Sequence, residues 1–208
     1  GPVTKLTSSK KIAVLGSALV GSLAFTFTDS FWFNAVEAEV YAMAACFMSV
    51  MFYLGLLWER DMFTARGNRW IILISLVIGL SFGVHFMGLL TLPAIGFLYF
   101  FKNYKEVTVK NFLIANVVVV AVLMFIFKLL LPYTLTFFSA SELFFTNSLG
   151  MPFNTGTIIA LLVIIAVFYF AINHTRKKNL YKYNTLLLCI LFVLVGFSSW
   201  VMLPIRSN

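Results

Sequence analysis

The sequence predicts an all-α fold, a polytopic transmembrane helical bundle of about seven membrane segments. Two observations predict it. Hydrophobic residues make up 62% of the 208 and charged residues 11%, against roughly 45–50% and about 25% in soluble domains. A globule of this length could not hide so much apolar surface from water. The apolar residues also fall into runs close to the ~20 residues that a helix needs to cross the hydrocarbon layer, with short clusters of Lys and Arg between them. A soluble enzyme, a disordered chain and a disulfide scaffold are excluded. Cys46 and Cys189 both lie inside apolar runs and read as small packing residues. The net charge of +8 resides in the inter-run clusters, where cations set topology and meet anionic headgroups. No nucleic-acid partner is expected.

Taken in order, the spans fall at about 12–28, 36–58, 70–84, 87–101, 111–131, 157–172 and 184–204. The first follows Lys5, Lys10 and Lys11 as a signal peptide would. It lacks a small-x-small cleavage site, however, and ends in Phe25-Thr26-Phe27-Thr28-Asp29, so it reads as an uncleaved span. The run 70–101 is the difficult one. As a single helix it would be roughly 48 Å long, too long for one upright crossing. The positive-inside rule decides. With the N-terminus cytoplasmic and 70–101 returning to the side it left, every one of the 15 Lys and Arg except Lys128 and Arg206 falls on the cytoplasmic side. With a single crossing there, that asymmetry disappears. The run is therefore expected to be a pair of short helices, bent near Gly79, Gly83, His85 and Gly88, with Pro93 disrupting the second half. Broken backbone at membrane depth persists only where it is buried in protein or lines a wet cavity. On the opposite, extracytoplasmic face lie 29–36, the bend at His85, an outer loop over 132–156 and the chain's last residues. The outer loop carries Phe137, Phe138, Phe144 and Phe145 and is expected to rest at the interface as a partly amphipathic helix.

Chemistry-bearing residues collect on that face. The densest cluster is Asp29-Ser30-Phe31-Trp32-Phe33-Asn34-Ala35-Val36-Glu37-Ala38-Glu39-Val40-Tyr41. Glu37 and Glu39 sit ~200° apart on a helix and cannot share a face, whereas Glu37 and Tyr41, at i and i+4, can. An acid at a helix start and a Trp in the aromatic belt would suit plain membrane architecture, yet one acid would suffice for that, and ionisable groups at a span point to function. His85, at a glycine-rich bend, can hold a phosphate as a cation or position a hydroxyl as a neutral ring. It can equally be a hydrogen-bonded packing residue. Arg206 departs from the positive-inside pattern and suits bidentate binding of phosphate, with snorkelling as the plain alternative. Lys128 reads as a snorkelling residue, and His174 as part of the basic cluster around Arg176. Gly16, Gly21, Gly79, Gly83 and Gly88 read as helix-packing positions. There is no Walker loop, no metal-ligand spacing and no G-x-S-x-G motif, and no metal site is expected.

Three blocks carry a family resemblance. Asp29-Ser30-Phe31-Trp32 with Ala35-Val36-Glu37-Ala38-Glu39-Val40-Tyr41 resembles the signature of a GT-C superfamily membrane glycosyltransferase family that includes protein O-mannosyltransferases, formerly described only as a domain of unknown function. Gly79-Leu80-Ser81-Phe82-Gly83-Val84-His85, then Leu92-Pro93-Ala94, resembles its next block. Gly196-Phe197-Ser198-Ser199 with Ile205-Arg206-Ser207-Asn208 resembles a third. Such enzymes begin with a span, an outer loop bearing a catalytic aspartate and a His-Pro-Pro-Gly-Tyr-Pro-like stretch, which this sequence does not contain. The resemblance therefore implies an internal fragment lacking two spans, with the catalytic base upstream and the rest of the parent polypeptide as a partner.

The resemblance also implies a reaction: transfer of a sugar, mannose first among the candidates, from a polyprenyl-phosphate carrier to Ser or Thr hydroxyls of an acceptor protein. The enzyme would be a multi-pass protein of the bacterial inner membrane or the ER, with its active face extracytoplasmic. Glu37, Glu39 and Tyr41 are then expected to bind sugar or acceptor, and His85 and Arg206 to hold the leaving phosphate. The membrane lipid carrier is the donor substrate, no cofactor is assigned beyond it, and the need for a divalent metal is left open. The rival expectation is a non-enzymatic scaffold or transporter subunit in which the bend gates a solute path.

Overall fold

The computed structural model describes residues 7–36, 40–64 and 66–201, and these are helical with no strand among them. The helices are α1 (Ser8–Thr26), α2 (Asp29–Val36), α3 (Tyr41–Asp61), α4 (Gly67–Phe82), α5 (Thr91–Asn103), α6 (Val109–Met124), α7 (Leu131–Leu143), α8 (Thr155–Lys177) and α9 (Tyr181–Phe197). Among the described residues, four helical stretches are long and apolar enough to cross a membrane. They are Tyr41–Asp61, Phe86–Asn103, Val109–Ser148 and Thr155–Lys177, and the bent pair α1–α2 makes a fifth. The expected seven segments also include α4 and α9, which are apolar but only 16 and 17 residues long. The chain divides into two compact units, 1–43 and 44–208.

In the first unit α1 and α2 meet at 63°. Phe25 packs on Phe31 and Phe27 stacks on Trp32, with centroids 4.7 and 5.9 Å apart, so aromatic contacts close the corner. Asp29 lies in the first turn of α2, where a carboxylate meets the positive end of the helix dipole. Gly16 and Gly21 make no close approach among the described residues of this unit, contrary to the packing expected of them. A Cβ at either would meet nothing within 4 Å.

The second unit is built on the pairing of α4 with α9, the most extensive in the fold. The helices run parallel, and glycines let them nearly touch. A Cβ on Gly79 would run into Val193 O and lie 2.9 Å from Gly196 Cα, and one on Gly196 would run into Leu76 O and lie 2.7 Å from Leu80 N. In a membrane the gain comes from close packing rather than from burial away from water. Met51, Ile74, Ile78, Ile95 and Val193 form the core around the pair.

The segment 70–101 doubles back. Trp70, at one end, donates from Nε1 to Asp61 Oδ2 at 2.9 Å. At the other end Lys102 pairs with Glu59, and Tyr99 stacks on Trp58 with centroids 6.0 Å apart. Both ends of the segment thus meet the C-terminal turn of α3. Between them the chain reverses through 83–85 and a 3-10 turn, Phe86–Leu90.

The stretch 132–156, expected as an outer loop carrying a partly amphipathic helix, is helical over most of its length and continues the helix before it. From Val109 to Ser148 the helical run is continuous, with π-helical turns at Phe125–Leu130 and Phe144–Ser148. Pro132 ends no helix: it directly follows the π-helical turn Phe125–Leu130, where the regular hydrogen-bond ladder is already interrupted. Only 149–154 forms the turn before α8.

Glu142 closes that turn. Its carboxylate accepts from the backbone N–H groups of Asn154 (2.7 Å) and Thr157 (2.8 Å) and from the hydroxyls of Thr157 and Thr146, capping the α8 N-terminus from a neighbouring helix. Glu142→Ala is expected to raise amide exchange at Asn154 and Thr157 at least tenfold while α4 amides keep their protection. Unchanged exchange at both amides would show that the cap is not needed.

Candidate functional site

The bend is assembled from two blocks that lie more than a hundred positions apart in sequence. Gly79 meets Gly196, Phe82 packs edge-on against Phe197 at 6.1 Å, and a Cβ on Gly83 would lie 2.9 Å from Ser199 Oγ. The 3-10 turn Ser198–Val201 that ends α9 therefore sits on the C-terminal end of α4. Two of the three sequence blocks form one surface, and neither could do so without the glycines.

His85 stands at the centre of the reversal. Its backbone N–H donates to Ser81 O at 2.8 Å, and its Nδ1 accepts from Met87 N–H at 3.1 Å. The imidazole thus caps the following 3-10 turn. With Nδ1 committed as acceptor, a neutral ring carries its proton on Nε2. Gly88 holds the turn against α4: a Cβ there would lie 2.5 Å from Ser81 Oγ and 3.1 Å from Met51 Cε. Half-buried His85 is thus a cap. That cap is the hydrogen-bonded packing role expected of it.

Two features were missed in the sequence. The ring of Phe86, next to His85, meets Phe127 edge-on at 5.5 Å, and Lys128 Nζ lies 5.3 Å from the centroid of the Phe127 ring. Lys128, read as snorkelling, is carried on the same aromatic cluster as the bend, on a π-helical turn of the kind that often marks functional positions. The run 125–130, FIFKLL, gives no sign of a π turn. Thr91, the first residue of α5, is buried and its Oγ1 has no hydrogen-bond partner among the described residues. A threonine in an apolar run gives no warning of that.

Tyr41 is the first residue of α3 and belongs to the first unit, whereas His85 belongs to the second. Glu37, Glu39 and Arg206 lie outside the described residues. Among the described residues no three His, Cys, Asp or Glu side chains gather in one place.

Parallel glycine-paired helices, a helix pair broken at a histidine and several apolar helices of spanning length define a polytopic helical membrane protein. The family model for the protein O-mannosyl-transferase TMEM260 N-terminal domain matches residues 2–108. The chain belongs to that family, a family of glycosyltransferases. The match includes the block 29–41 and the whole helix pair 70–101. No curated protein and no solved structure matches the chain.

Proposed function

We propose that the chain is part of a GT-C-type membrane enzyme that transfers a sugar, mannose by the family's name, from a polyprenyl-phosphate carrier to Ser or Thr hydroxyls on the extracytoplasmic side. The observation that carries this reading is the family match over 2–108, which takes in two of the three blocks. The meeting of the second block with the third at the bend supports it.

In the reaction the acceptor oxygen forms a bond to the anomeric carbon as the bond from that carbon to the carrier phosphate oxygen breaks. A carboxylate base takes the hydroxyl proton, and the bonding pair leaves with the phosphate. On this reading the parent polypeptide supplies the base. The departing phosphate needs donors and cations, which His85 Nε2 and Arg206 would provide. Glu37, Glu39 and Tyr41 would bind sugar or acceptor. No divalent ion is assigned.

The test is transfer of labelled sugar from the lipid carrier by the full-length protein with single substitutions. Glu39→Ala and Arg206→Ala are each expected to lower the rate at least a hundredfold, and His85→Ala about a hundredfold to a thousandfold, in line with losing one positioned donor. Full activity in both the Glu39 and Arg206 variants removes the assignment. Stabilisation of the protein by a solute, with no polyprenyl phosphate co-purifying, would favour a transport role instead.

A further inference from the structure

We propose that the groove between α3, α5 and α6 binds one acyl chain of an anionic phospholipid, with the lipid phosphate held at the cation-rich end of the bundle. This site lies away from the His85 bend and does not depend on the proposed transfer reaction. The groove has a volume of about 350 Å³ and is lined by Trp58, Ile95, Gly96, Tyr99, Ala115 and Val118, among others. A Cβ on Gly96 would collide with Val119, so the glycine sets how closely α5 and α6 approach along the groove floor.

The groove is polar at one end only. Trp58 stacks on Tyr99, Tyr104 stacks on Phe100 at 5.1 Å, and Asn111 stands in the first turn of α6. Leu92, Val118 and Val122 line the other end. Tyr and Trp favour such boundaries because each has an apolar body and a polar tip. The aliphatic end suits a hydrocarbon chain, and the aromatic end suits the ester and headgroup level.

Charge at the polar end identifies the headgroup. Lys102 and Arg60 are engaged by Glu59 and Asp61. Lys105 and Lys110, adjacent in sequence to the lining residues Tyr104 and Asn111, are exposed and have no ion pair among the described residues. Glu106 is the one acid between them, Arg66 precedes the first residue of α4 and Arg69 stands in its first turn. A lysine pair at the end of an apolar groove complements a phosphate as a point charge.

The test is native mass spectrometry of the detergent-purified chain titrated with phosphatidylglycerol or phosphatidylcholine of matched chains. One phosphatidylglycerol is expected to be retained at about tenfold lower concentration than phosphatidylcholine. Lys105→Gln with Lys110→Gln should erase that preference at least fivefold, and added salt should weaken it. Ala115→Phe, which fills the groove from the α6 side, should abolish retention of the single lipid while circular dichroism shows unchanged helix content. Equal retention of the two lipids, or retention that survives Ala115→Phe, overturns the proposal. So does concentration-dependent dimerisation abolished by Ala115→Phe with no lipid retained, because a second copy would then cover the groove.

Discussion

Gly196→Leu is expected to leave no folded, monodisperse protein in detergent, and Gly79→Leu should do the same. At both positions the atoms in the way are backbone: Val193 O, Gly196 Cα and Phe197 N around Gly79, and Leu76 O, Leu80 N and Gly79 C around Gly196. A rotamer change can relieve a clash with a side chain but cannot move a carbonyl. The two helices would have to separate along their whole contact, taking with them Ile74, Ile78 and Val193, each at most 4% exposed. Alanine makes a more discriminating test. In a helix interior it is favoured over glycine by about 1 kcal/mol, and overpacking typically costs about 1–3 kcal/mol. Backbone contacts put Gly79→Ala and Gly196→Ala at the costly end of that range, so both should lower the Tm in detergent. Gly16→Ala and Gly21→Ala, which meet nothing within 4 Å, should leave it unchanged or raise it slightly. Equal effects at all four positions would show that the close approach of α4 and α9 does not exist in the membrane.

That contrast marks how far the sequence can be read. Gly16 and Gly21 read as packing positions just as Gly79 did, because a glycine's role depends on what lies across from it. The helix pair 70–101, by contrast, was legible from charge alone. Its two ends had to share a compartment with the cations around them, and Trp70 and Lys102 do converge on the end of α3. Pro132 misled in the other direction. A proline after an apolar run usually stops a helix, but here it follows the π turn at 125–130, where the regular ladder is already interrupted, and the helix runs on. Of the candidate site, the three blocks were visible as text. Contact between the second and third arises from Gly79, Gly83 and Gly196, and Lys128 comes to the bend through Phe127 and Phe86, a tertiary contact that no local pattern encodes.

Cysteine accessibility should give an all-or-none result on the orientation of the bend. In a Cys46→Ala, Cys189→Ala background, a membrane-impermeant maleimide is expected to label Thr64→Cys, Glu106→Cys and Lys178→Cys from one side only. His85→Cys and Leu149→Cys should label only from the other. The structure sets the expectation through a chain of contacts. Asp61, Trp70 and Lys102 mark one end of the bundle. Gly83 against Ser199 marks the opposite end of the parallel α4–α9 pair. The α8–α9 turn, fastened where Asn184 Nδ2 donates to Thr175 Oγ1 at 3.0 Å, lies at the start of α9 and so at the first end, which also holds the basic run Arg176–Lys178. Depth sharpens the test. α4 has 16 residues and rises about 24 Å at 1.5 Å per residue, short of the ~30 Å hydrocarbon layer. Residue 85 therefore stops several Å below the far interface. It can react only if water reaches it, which is the condition under which non-helical backbone survives at that depth. Labelling of position 85 together with 64, 106 and 178 would place the bend on the basic side and separate His85 from the extracytoplasmic face. No labelling from either side would mean a dry, protein-packed bend, leaving His85 its capping role and removing it from phosphate binding.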